Sequence, residues 1–308
     1  MIRPADIDRD AEAITGITRE ANPLAVMNAE SFAHRLRSLP ETSKPQTWVA
    51  EANGSLIGVA SAFLSLFAPG SGDAAVHVAV TANHRHRGVG SDLFERAIAH
   101  VRELEAKRVL AHFHANDDGI AFAERRGFVE VRSETEAVLD PRTVTERTDA
   151  DARPMTEVDP HLAYEIDIES TYDMPATEAF EGMTYDEWAE HVLDHPLFSR
   201  AGSFVVFDGG EAAAVSLLIV DHETGRATSM FTGTRRAFRG RGLALAAKLA
   251  SIEWATANGV TSMHTYNDET NAPMLAVNKR LGYNPAGRQV EMLKEGTASS
   301  PAPPAPAT

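Results

Sequence analysis

Residues 232–255, TGTRRAFRGRGLALAAKLASIEWA, contain the pattern that decides the fold: the end of a strand, a glycine-rich turn and a helix. The N-terminal part of the chain repeats this pattern in residues 78–101, VAVTANHRHRGVGSDLFERAIAHV. Each turn has the form Arg-x-x-Gly-x-Gly or Arg-x-x-Gly-x-Ala. The residues concerned are Arg85, Arg87, Gly88, Val89 and Gly90 in the first turn, and Arg239, Gly240, Arg241, Gly242, Leu243 and Ala244 in the second.

Both turns have the chemistry of a pyrophosphate cradle. Glycine lets a ligand approach the backbone closely, and the free N–H groups that open a helix attract phosphate oxygens. A purely structural strand-to-helix turn is the alternative for a single copy, but the repetition favours binding. Neither copy has the full Gly-x-Gly-x-x-Gly of a dinucleotide-binding fold or the Gly-Lys-Ser/Thr of a P-loop.

The two turns belong to a repeat of about 154 residues. Alternating apolar residues predict strands, and helical spacing predicts helices between them. The predicted strands cover residues 47–65 (two strands joined at Asn53-Gly54), 74–81, 109–116, 203–221, 227–234 and 260–267, and the predicted helices lie within 91–107, 118–128, 238–259 and 271–283. We therefore predict an α/β fold of two domains, 1–140 and 155–295, with a linker at 141–154 and a disordered tail at 296–308.

The composition excludes several classes of protein. The 308 residues include 29 Lys and Arg against 44 Asp and Glu, and this net charge of −15 argues against nucleic acid or an anionic membrane as a partner. Cysteine is absent, which excludes thiolate nucleophiles and Cys-ligated metals. His112 and His114 have no third ligand at sensible spacing, so we predict no metal. Without a signal sequence or an apolar run of roughly 18 residues, we expect a cytoplasmic protein.

Two asparagines occupy similar places in the repeat. Asn116 precedes Phe128 by twelve residues, and Asn271 precedes Tyr283 by twelve. Each lies at the junction between a predicted strand and the next predicted helix. Such an Asn either caps the helix or hydrogen-bonds a ligand that lies between the strands.

These motifs together resemble the GCN5-related N-acetyltransferase (GNAT) family, present as a tandem pair over nearly all of residues 1–295. The layout is of the actinobacterial tandem type, to which mycothiol synthase is similar. The resemblance implies two fused domains, each with a mixed, mostly antiparallel central sheet flanked by helices. It also implies acetyl-CoA as the co-substrate, with its pyrophosphate on either glycine-rich turn and its pantetheine arm along the preceding strand. In the second half the implied contacts with acetyl-CoA include Thr232, Gly233, Thr234, Asn267 and Asn271.

The chain departs from this family at one functional position. Many members have a Tyr five residues before the Gly-Phe aromatic, where its hydroxyl protonates the leaving thiolate. Here the residues are Ala123 and Asn278. Alanine has no proton to donate, whereas the side chain of Asn278 is able to hydrogen-bond the sulfur. We therefore expect the C-terminal domain to be the catalytic one and the N-terminal domain to be degenerate.

The negative charge is concentrated in one segment. Residues 149–194 contain fourteen acidic side chains and one basic side chain, Arg153. The resemblance implies that this segment covers the acceptor site, where carboxylates attract a cationic amine. A solvated acidic face is the alternative. Because an alkyl ammonium with a pKa near about 10.4 must lose a proton before it attacks a thioester, a general base is expected; the candidates are Glu165, Glu169, Asp173, His264 and Tyr266.

The sequence thus predicts an acetyl-CoA-dependent N-acetyltransferase that acts on a primary amine of a small cationic metabolite or amine antibiotic. The acceptor amine attacks the thioester directly. Two alternatives stay open: acetylation of a protein N-terminus or lysine, and a non-catalytic acyl-CoA-binding protein. We expect a monomer or a homodimer.

Overall fold

A computed structural model describes residues 1–296 of the chain. Apart from Gly296, the predicted disordered tail lies outside the described residues. The helices are α1 Ile7–Ala21, α2 Ala29–Arg37, α3 Val89–Glu103, α4 Asp117–Glu124, α5 Pro160–Thr171, α6 Tyr185–Val192, α7 Leu243–Ala257 and α8 Ala272–Leu281. The strands are β1 Ile2–Pro4, β2 Gln46–Ala52, β3 Ser55–Leu64, β4 Asp73–Val80, β5 Arg108–His114, β6 Val129–Leu139, β7 Asp151–Pro154, β8 Phe204–Asp208, β9 Glu211–Asp221, β10 Arg226–Thr234, β11 Ser262–Asp268 and β12 Asn284–Glu295.

The two halves of the chain repeat one order of elements. The N-terminal half contains β1–β6 with α1–α4, and the C-terminal half contains β7–β12 with α5–α8. Most neighbouring strands run antiparallel; the parallel pairs are β4 with β5 and β10 with β11. The structure thus confirms an α/β fold with a mixed, mostly antiparallel sheet in each half.

All twelve strands join one continuous sheet, because the halves exchange their last strands. The order is β1-β2-β3-β4-β5-β12-β6-β11-β10-β9-β8-β7. Strand β12 therefore lies beside β5 of the N-terminal half, and β6 lies beside β11 of the C-terminal half. The predicted linker, 141–154, contains strand β7, which forms the sheet edge. The division into 1–140 and 155–295 stays a prediction, since neither range alone contains a complete set of paired strands.

Helices cover both faces of the sheet. Helix α3 packs on Ala60 and Ala62 of β3, whereas α1 packs on the neighbouring Val59, which points to the opposite face. The C-terminal half repeats this arrangement, with α7 on Leu218 and α5 on Leu217 of β9. Across residues 1–296, no helix combines the length and apolar character that a membrane span requires.

Loops also cross from one half to the other. The loop between α1 and α2 reaches the C-terminal half, where Arg226 donates from Nη2 to the carbonyl oxygen of Pro23 at 2.9 Å. The loop between α5 and α6 reaches the N-terminal half, where Glu181 accepts from the backbone N–H of Gly70 at 2.9 Å. Each half thus contacts the other through one of these loops.

Candidate active site

A gap opens between β10 and β11 in the C-terminal half. The two strands pair only from Arg226 to Thr228, opposite Ser262 to His264. Strand β10 continues to Thr234 and stays paired with β9, with a bulge between Ser229 and Phe231. In the described structure, the β10 edge over residues 229–234 therefore has no strand partner on the β11 side. We call this the C-terminal gap; its backbone amides are free to pair with an extended ligand.

The N-terminal half has a similar gap without the bulge. Strands β4 and β5 pair only over Asp73–Ala75 and Arg108–Leu110. The register between β3 and β4 runs without a shift from Gly58 to Leu64. The two gaps therefore differ in the backbone that lines them, although the strands around them correspond.

The two glycine-rich turns, here the N-terminal cradle (85–90) and the C-terminal cradle (239–244), have the same backbone shape. Gly88 and Gly242 precede α3 and α7 with φ of 86° and 77°. Such positive values favour glycine. Two positions earlier, His86 takes φ of 58° where the second copy has Gly240 at 78°. Each leading arginine fixes its own turn, because Arg85 and Arg239 both donate from Nε to a carbonyl oxygen five residues earlier, at 3.1 Å.

The C-terminal cradle fits a pyrophosphate group. Within the described residues, the backbone N–H groups of 240–245 make no hydrogen bond, as expected at the start of α7. A Cβ at Gly240 or Gly242 would meet no atom within 4 Å, so the turn faces open space. Arg241 is held beside the turn by Asp208 at 2.7 Å. The turn thus offers free donors and a positive helix end to phosphate oxygens; the ligand roles of individual residues stay predictions.

The asparagines of the repeat cap helices. Asn116 accepts from the backbone N–H of Gly119 at 2.9 Å, and Asn271 accepts from that of Met274 at 3.3 Å. These bonds support the capping explanation. The structure does not test contact of either residue with a ligand.

Asn278 is bound to a neighbour across the site. It is 5% exposed and donates from Nδ2 to Oδ1 of Asn267 at 2.6 Å, which ties α8 to β11. Its Oδ1 is buried and has no hydrogen-bond partner in the described structure. Asn278 therefore presents a free acceptor, Oδ1, to this region, and one of its two amide protons is engaged by Asn267.

The acidic residues predicted as bases on and after α5 pair with arginines that lead into the C-terminal cradle. Glu165 binds Arg235, and Glu169 accepts from the backbone N–H of Arg236 at 2.7 Å. Asp173 binds Arg236 and Arg239, each at 2.7 Å, and these hydrogen bonds hold the pKa of its carboxyl far below the usual range. A role as general base therefore stays a prediction for Glu165, Glu169 and Asp173. Their ion pairs do not favour it.

A second group of acids lies at the centre of the sheet. Residues of β6, β11 and β12 form this central acidic band, which comprises Glu134, Glu136, Asp268 and Glu291. Arg132 pairs with three of its members, through Asp268 at 2.7 Å, Glu291 at 3.7 Å and Glu134. Glu136 accepts from Gln289 at 2.9 Å and bonds His114. Three carboxylates thus share one guanidinium, and buried oxygens of Glu134 and Glu291 have no hydrogen-bond partner in the described structure.

Tyr266 and His264 differ in their surroundings. Tyr266 is 43% exposed and lies directly opposite Glu136 across the β11–β6 pair, beside the central acidic band. His264 is 6% exposed, and burial together with Arg226 lowers its pKa to about 4, so the imidazole is neutral at pH 7. Its Nε2 contacts Ser262 at 2.9 Å and Arg226 at 3.3 Å. Tyr266 is therefore the better placed of the two for an incoming acceptor.

Sequence reasoning missed the central acidic band. Its residues lie on strands from both halves and come together only through the strand exchange. The carboxylates were visible in the alternating sequence VEVRSETEAVL, residues 129–139, where an exposed strand face is the ordinary interpretation.

The family model described as "Acetyltransferase (GNAT) family" matches residues 13–128 and 164–283. Among solved structures, a GCN5-related N-acetyltransferase from Sphaerobacter thermophilus is similar, with 19% identity, coverage of 96% of this chain and 95% of that one, and a TM-score of 0.70. A tandem GNAT protein from the clavulanic acid biosynthesis pathway is also similar, with 20% identity, coverage of 96% of this chain and 98% of that one, and a TM-score of 0.72.

A more distant likeness is that to N-myristoyltransferase of Saccharomyces cerevisiae with bound myristoyl-CoA. It has 13% identity, covers 96% of this chain and 78% of that one, and has a TM-score of 0.65. At these identities the likenesses concern the fold. No curated protein matches the sequence significantly.

Proposed function

The chain belongs to the GNAT family of acyl-CoA-dependent N-acetyltransferases, and we propose that its C-terminal half transfers an acetyl group from acetyl-CoA to a primary amine of a small cationic molecule. The observation that carries the choice of half is the bulge between Ser229 and Phe231, since the corresponding β3–β4 register has none. A bulge leaves one residue out of the ladder with β9 and re-aims its backbone groups. Such a group supports the thioester end of the ligand in the C-terminal gap.

The residues present fit acetyl-CoA. The free N–H groups of 240–245 suit its pyrophosphate, and the unpaired β10 edge, including Thr232, Gly233 and Thr234, suits the amides of its pantetheine arm. Bound acetyl-CoA supplies an activated acyl carbon. The protein's part is to orient that carbon, to bring the amine to it and to manage protons.

The central acidic band supports a cationic acceptor. Its four carboxylates exceed the charge of Arg132, and the cluster lies beside Tyr266 on the strand that borders the C-terminal gap. Although burial opposes ionisation, His112 and Arg132 keep the pKa of Glu134 below its usual value, so the carboxylate stays charged. An ammonium or guanidinium group of the acceptor would neutralise this excess. We assign the binding of the acceptor to Tyr266 and the band, and the removal of its amine proton to the carboxylates of the band. Burial and the neighbouring Glu134 and Glu136 raise the pKa of Tyr266, so its phenol keeps its proton.

The crossing loops favour a small acceptor over a polypeptide. The contacts of Arg226 with Pro23 and of Glu181 with Gly70 hold each loop against the other half. A protein N-terminus or lysine on a chain needs a long open groove, and loops held in this way leave less room for one. Acetylation of proteins and non-catalytic binding of acyl-CoA are therefore outcomes for the experiment to exclude.

The experiment measures release of free thiol from acetyl-CoA with a panel of small amines, polyamines and lysine peptides. Gly242→Glu places a bulky acid in the C-terminal cradle, and Gly88→Glu is the matched variant in the N-terminal cradle. Because both glycines have positive φ, Gly242→Ala controls for backbone strain. We expect amine-dependent release that Gly242→Glu abolishes and Gly88→Glu retains.

The other outcomes also discriminate. Loss in Gly88→Glu alone would assign catalysis to the N-terminal half. Release only with peptides would show a protein acetyltransferase. Binding of CoA to the wild-type protein without release for any amine would contradict the proposal and favour the acyl-CoA-binding alternative.

A further inference from the structure

Lys248 is a buried cation without an acidic partner in the described part of the chain. It lies on α7 shortly after the C-terminal cradle, and it is 3% exposed. Its Nζ is 3.4 Å from Oγ of Ser229 and 5.2 Å from the ring centroid of Tyr283. Among the described residues no carboxylate lies within salt-bridge distance of it. A buried ammonium without a counter-ion is costly to the fold, so its presence calls for a ligand or a reaction.

Its position relative to the C-terminal gap is specific. Thr228 is the last residue of β10 that pairs with β11, and Ser229 is the first beyond it. Because its Nζ contacts Ser229, the Lys248 ammonium lies next to the point at which the two strands diverge. The hydroxyl of Ser229 also contacts that of Thr232 at 3.2 Å, on the unpaired edge. A chain of polar groups thus runs from Lys248 along the α7 side of β10 to the unpaired edge that borders the gap.

The N-terminal half has no such cation. At the repeat distance of 154 residues, the position of Lys248 corresponds to Phe94, which is buried in the apolar core under β4. Phenylalanine is an ordinary residue for the buried face of this helix. The lysine is therefore not required by the helix–sheet packing, and it occurs in the half whose strand carries the bulge.

The groups that face Lys248 set its acidity. They are Ser229 from β10 and Tyr283 from the turn between α8 and β12, and neither is charged at neutral pH. Burial alone lowers the pKa of the ammonium to about 8. This is close to that of an alkyl thiol, about 8.5, and such a match makes proton exchange between the two efficient.

Other groups at this end are poorer acids. Asn278 stands where a phenol would protonate the sulfur, but its amide is a very weak acid and donates one N–H to Asn267. The hydroxyl of Tyr283 is buried without a hydrogen-bond partner in the described structure, and burial raises the pKa of Tyr283 above its usual value. We propose, on the basis of the proposed function of the C-terminal half, that Lys248 is the proton donor to the leaving thiolate of CoA.

Acetyl transfer with Lys248 as the proton donor conserves atoms and charge. The amine nitrogen forms a bond to the acyl carbon, the carbon–sulfur bond breaks, and the sulfur leaves with the electron pair. A proton passes from the Lys248 ammonium to the sulfur, which gives free CoA thiol and a neutral lysine. The surplus proton of the attacking nitrogen passes to the acceptor side and solvent, and a proton from solvent restores the ammonium.

The first test compares Lys248→Met and Lys248→Arg with the wild-type enzyme. Methionine keeps length without charge, whereas arginine keeps the charge but does not give up a proton. We expect kcat for thiol release to fall by about 100-fold or more in both variants, with KM for acetyl-CoA changed by only a few fold. Phe94→Leu, a core substitution at the matching position, is expected to keep kcat within about twofold. Full activity in either lysine variant would overturn proton donation.

The second test does not depend on turnover. CoA is titrated while bound, and its thiolate is followed by ultraviolet absorbance, with desulfo-CoA as the blank. A nearby ammonium stabilises a thiolate, so the wild-type complex should show about tenfold more thiolate at pH 7 than free CoA. Lys248→Met should bring that fraction to the level of free CoA or below, whereas Lys248→Arg should keep it raised.

The two readouts separate the two proposals. If wild-type protein binds CoA but transfers no acetyl group, the proposed function fails and the titration still decides the place of Lys248. An unchanged thiolate fraction in Lys248→Met would overturn the placement beside the sulfur. Should methionine prevent folding, Lys248→Gln provides the same neutral comparison.

Discussion

The indole N–H of Trp188 donates to Oδ2 of Asp167 at 2.8 Å, between helices α6 and α5. Both residues are buried, and Thr171 donates a second hydrogen bond to the same carboxyl at 3.1 Å. Burial nevertheless dominates and raises the pKa of Asp167 to about 6.

The titration of Asp167 predicts a fall in stability with rising pH. Because the folded pKa is above the usual 3.8, its contribution is complete below about pH 4 and is lost as the pH rises through about 6. Asp167→Asn should therefore raise the free energy of unfolding by up to about 3 kcal/mol at pH 8. Urea denaturation followed by Trp fluorescence measures it. The free energies of unfolding of wild type and variant should agree near pH 4. An equal stability gain at pH 4 and pH 8 would contradict the raised pKa of Asp167.

Lys248→Met should stabilise the free protein. The folded pKa of Lys248, about 8, is below the usual 10.5, so folding at pH 7 carries the full cost of a buried ammonium. Methionine removes that charge, and the free energy of unfolding should rise by up to about 3 kcal/mol at pH 7. The gain should decline above pH 8 and disappear near pH 10.5. A stability loss at pH 7 would indicate that the lysine serves the fold.

Glu136→Gln should weaken binding of the amine acceptor and leave binding of acetyl-CoA unchanged. It removes one charge from the central acidic band while keeping a side chain of similar shape for Gln289. We expect KM for a cationic amine to rise about tenfold, in line with a charged hydrogen bond, while KM for acetyl-CoA stays constant. Glu269→Gln, at an exposed position that follows β11, is the control. An equal effect of both changes would indicate general electrostatics.

Asp173→Asn separates ion pairing from base catalysis. The carboxylate binds Arg236 and Arg239 beside the C-terminal cradle. Its removal should change KM for acetyl-CoA by a few fold and leave the acidic limb of the kcat–pH profile in place. If Asp173 were the base, kcat would fall by about 100-fold or more, as removal of a general base does. Steady-state kinetics from pH 5 to 9 decide between the two.

The sequence was informative where function depends on local backbone. Both cradles, their helices and the capping of α4 and α8 by Asn116 and Asn271 follow from short patterns, because left-handed glycines and N-caps act within a few residues.

Features that depend on pairing between distant segments of the chain could not be predicted from the sequence. Strands β6 and β12 both alternate in the manner of any half-buried strand, so nothing in either sequence shows that each pairs beyond its own half. The partners of Glu165 and Asp173 also come from elsewhere in the chain. One weak indication of Lys248 was visible in the sequence, where it is the lone charged residue in the apolar run LALAAKLASI. That run is apolar because α7 is buried on almost all sides.

The reciprocal exchange of β6 and β12 also bears on how such a protein can change over time. A half that has lost its own chemistry cannot be deleted, since its last strand completes the sheet of the other half and borders that half's reaction site. If catalysis belongs to the C-terminal half, as we propose, the N-terminal half is retained as a scaffold for its neighbour, and changes in its own gap are tolerated so long as β6 holds its register. Duplication followed by exchange would convert two independent copies into a single inherited unit, free to specialise on one side only.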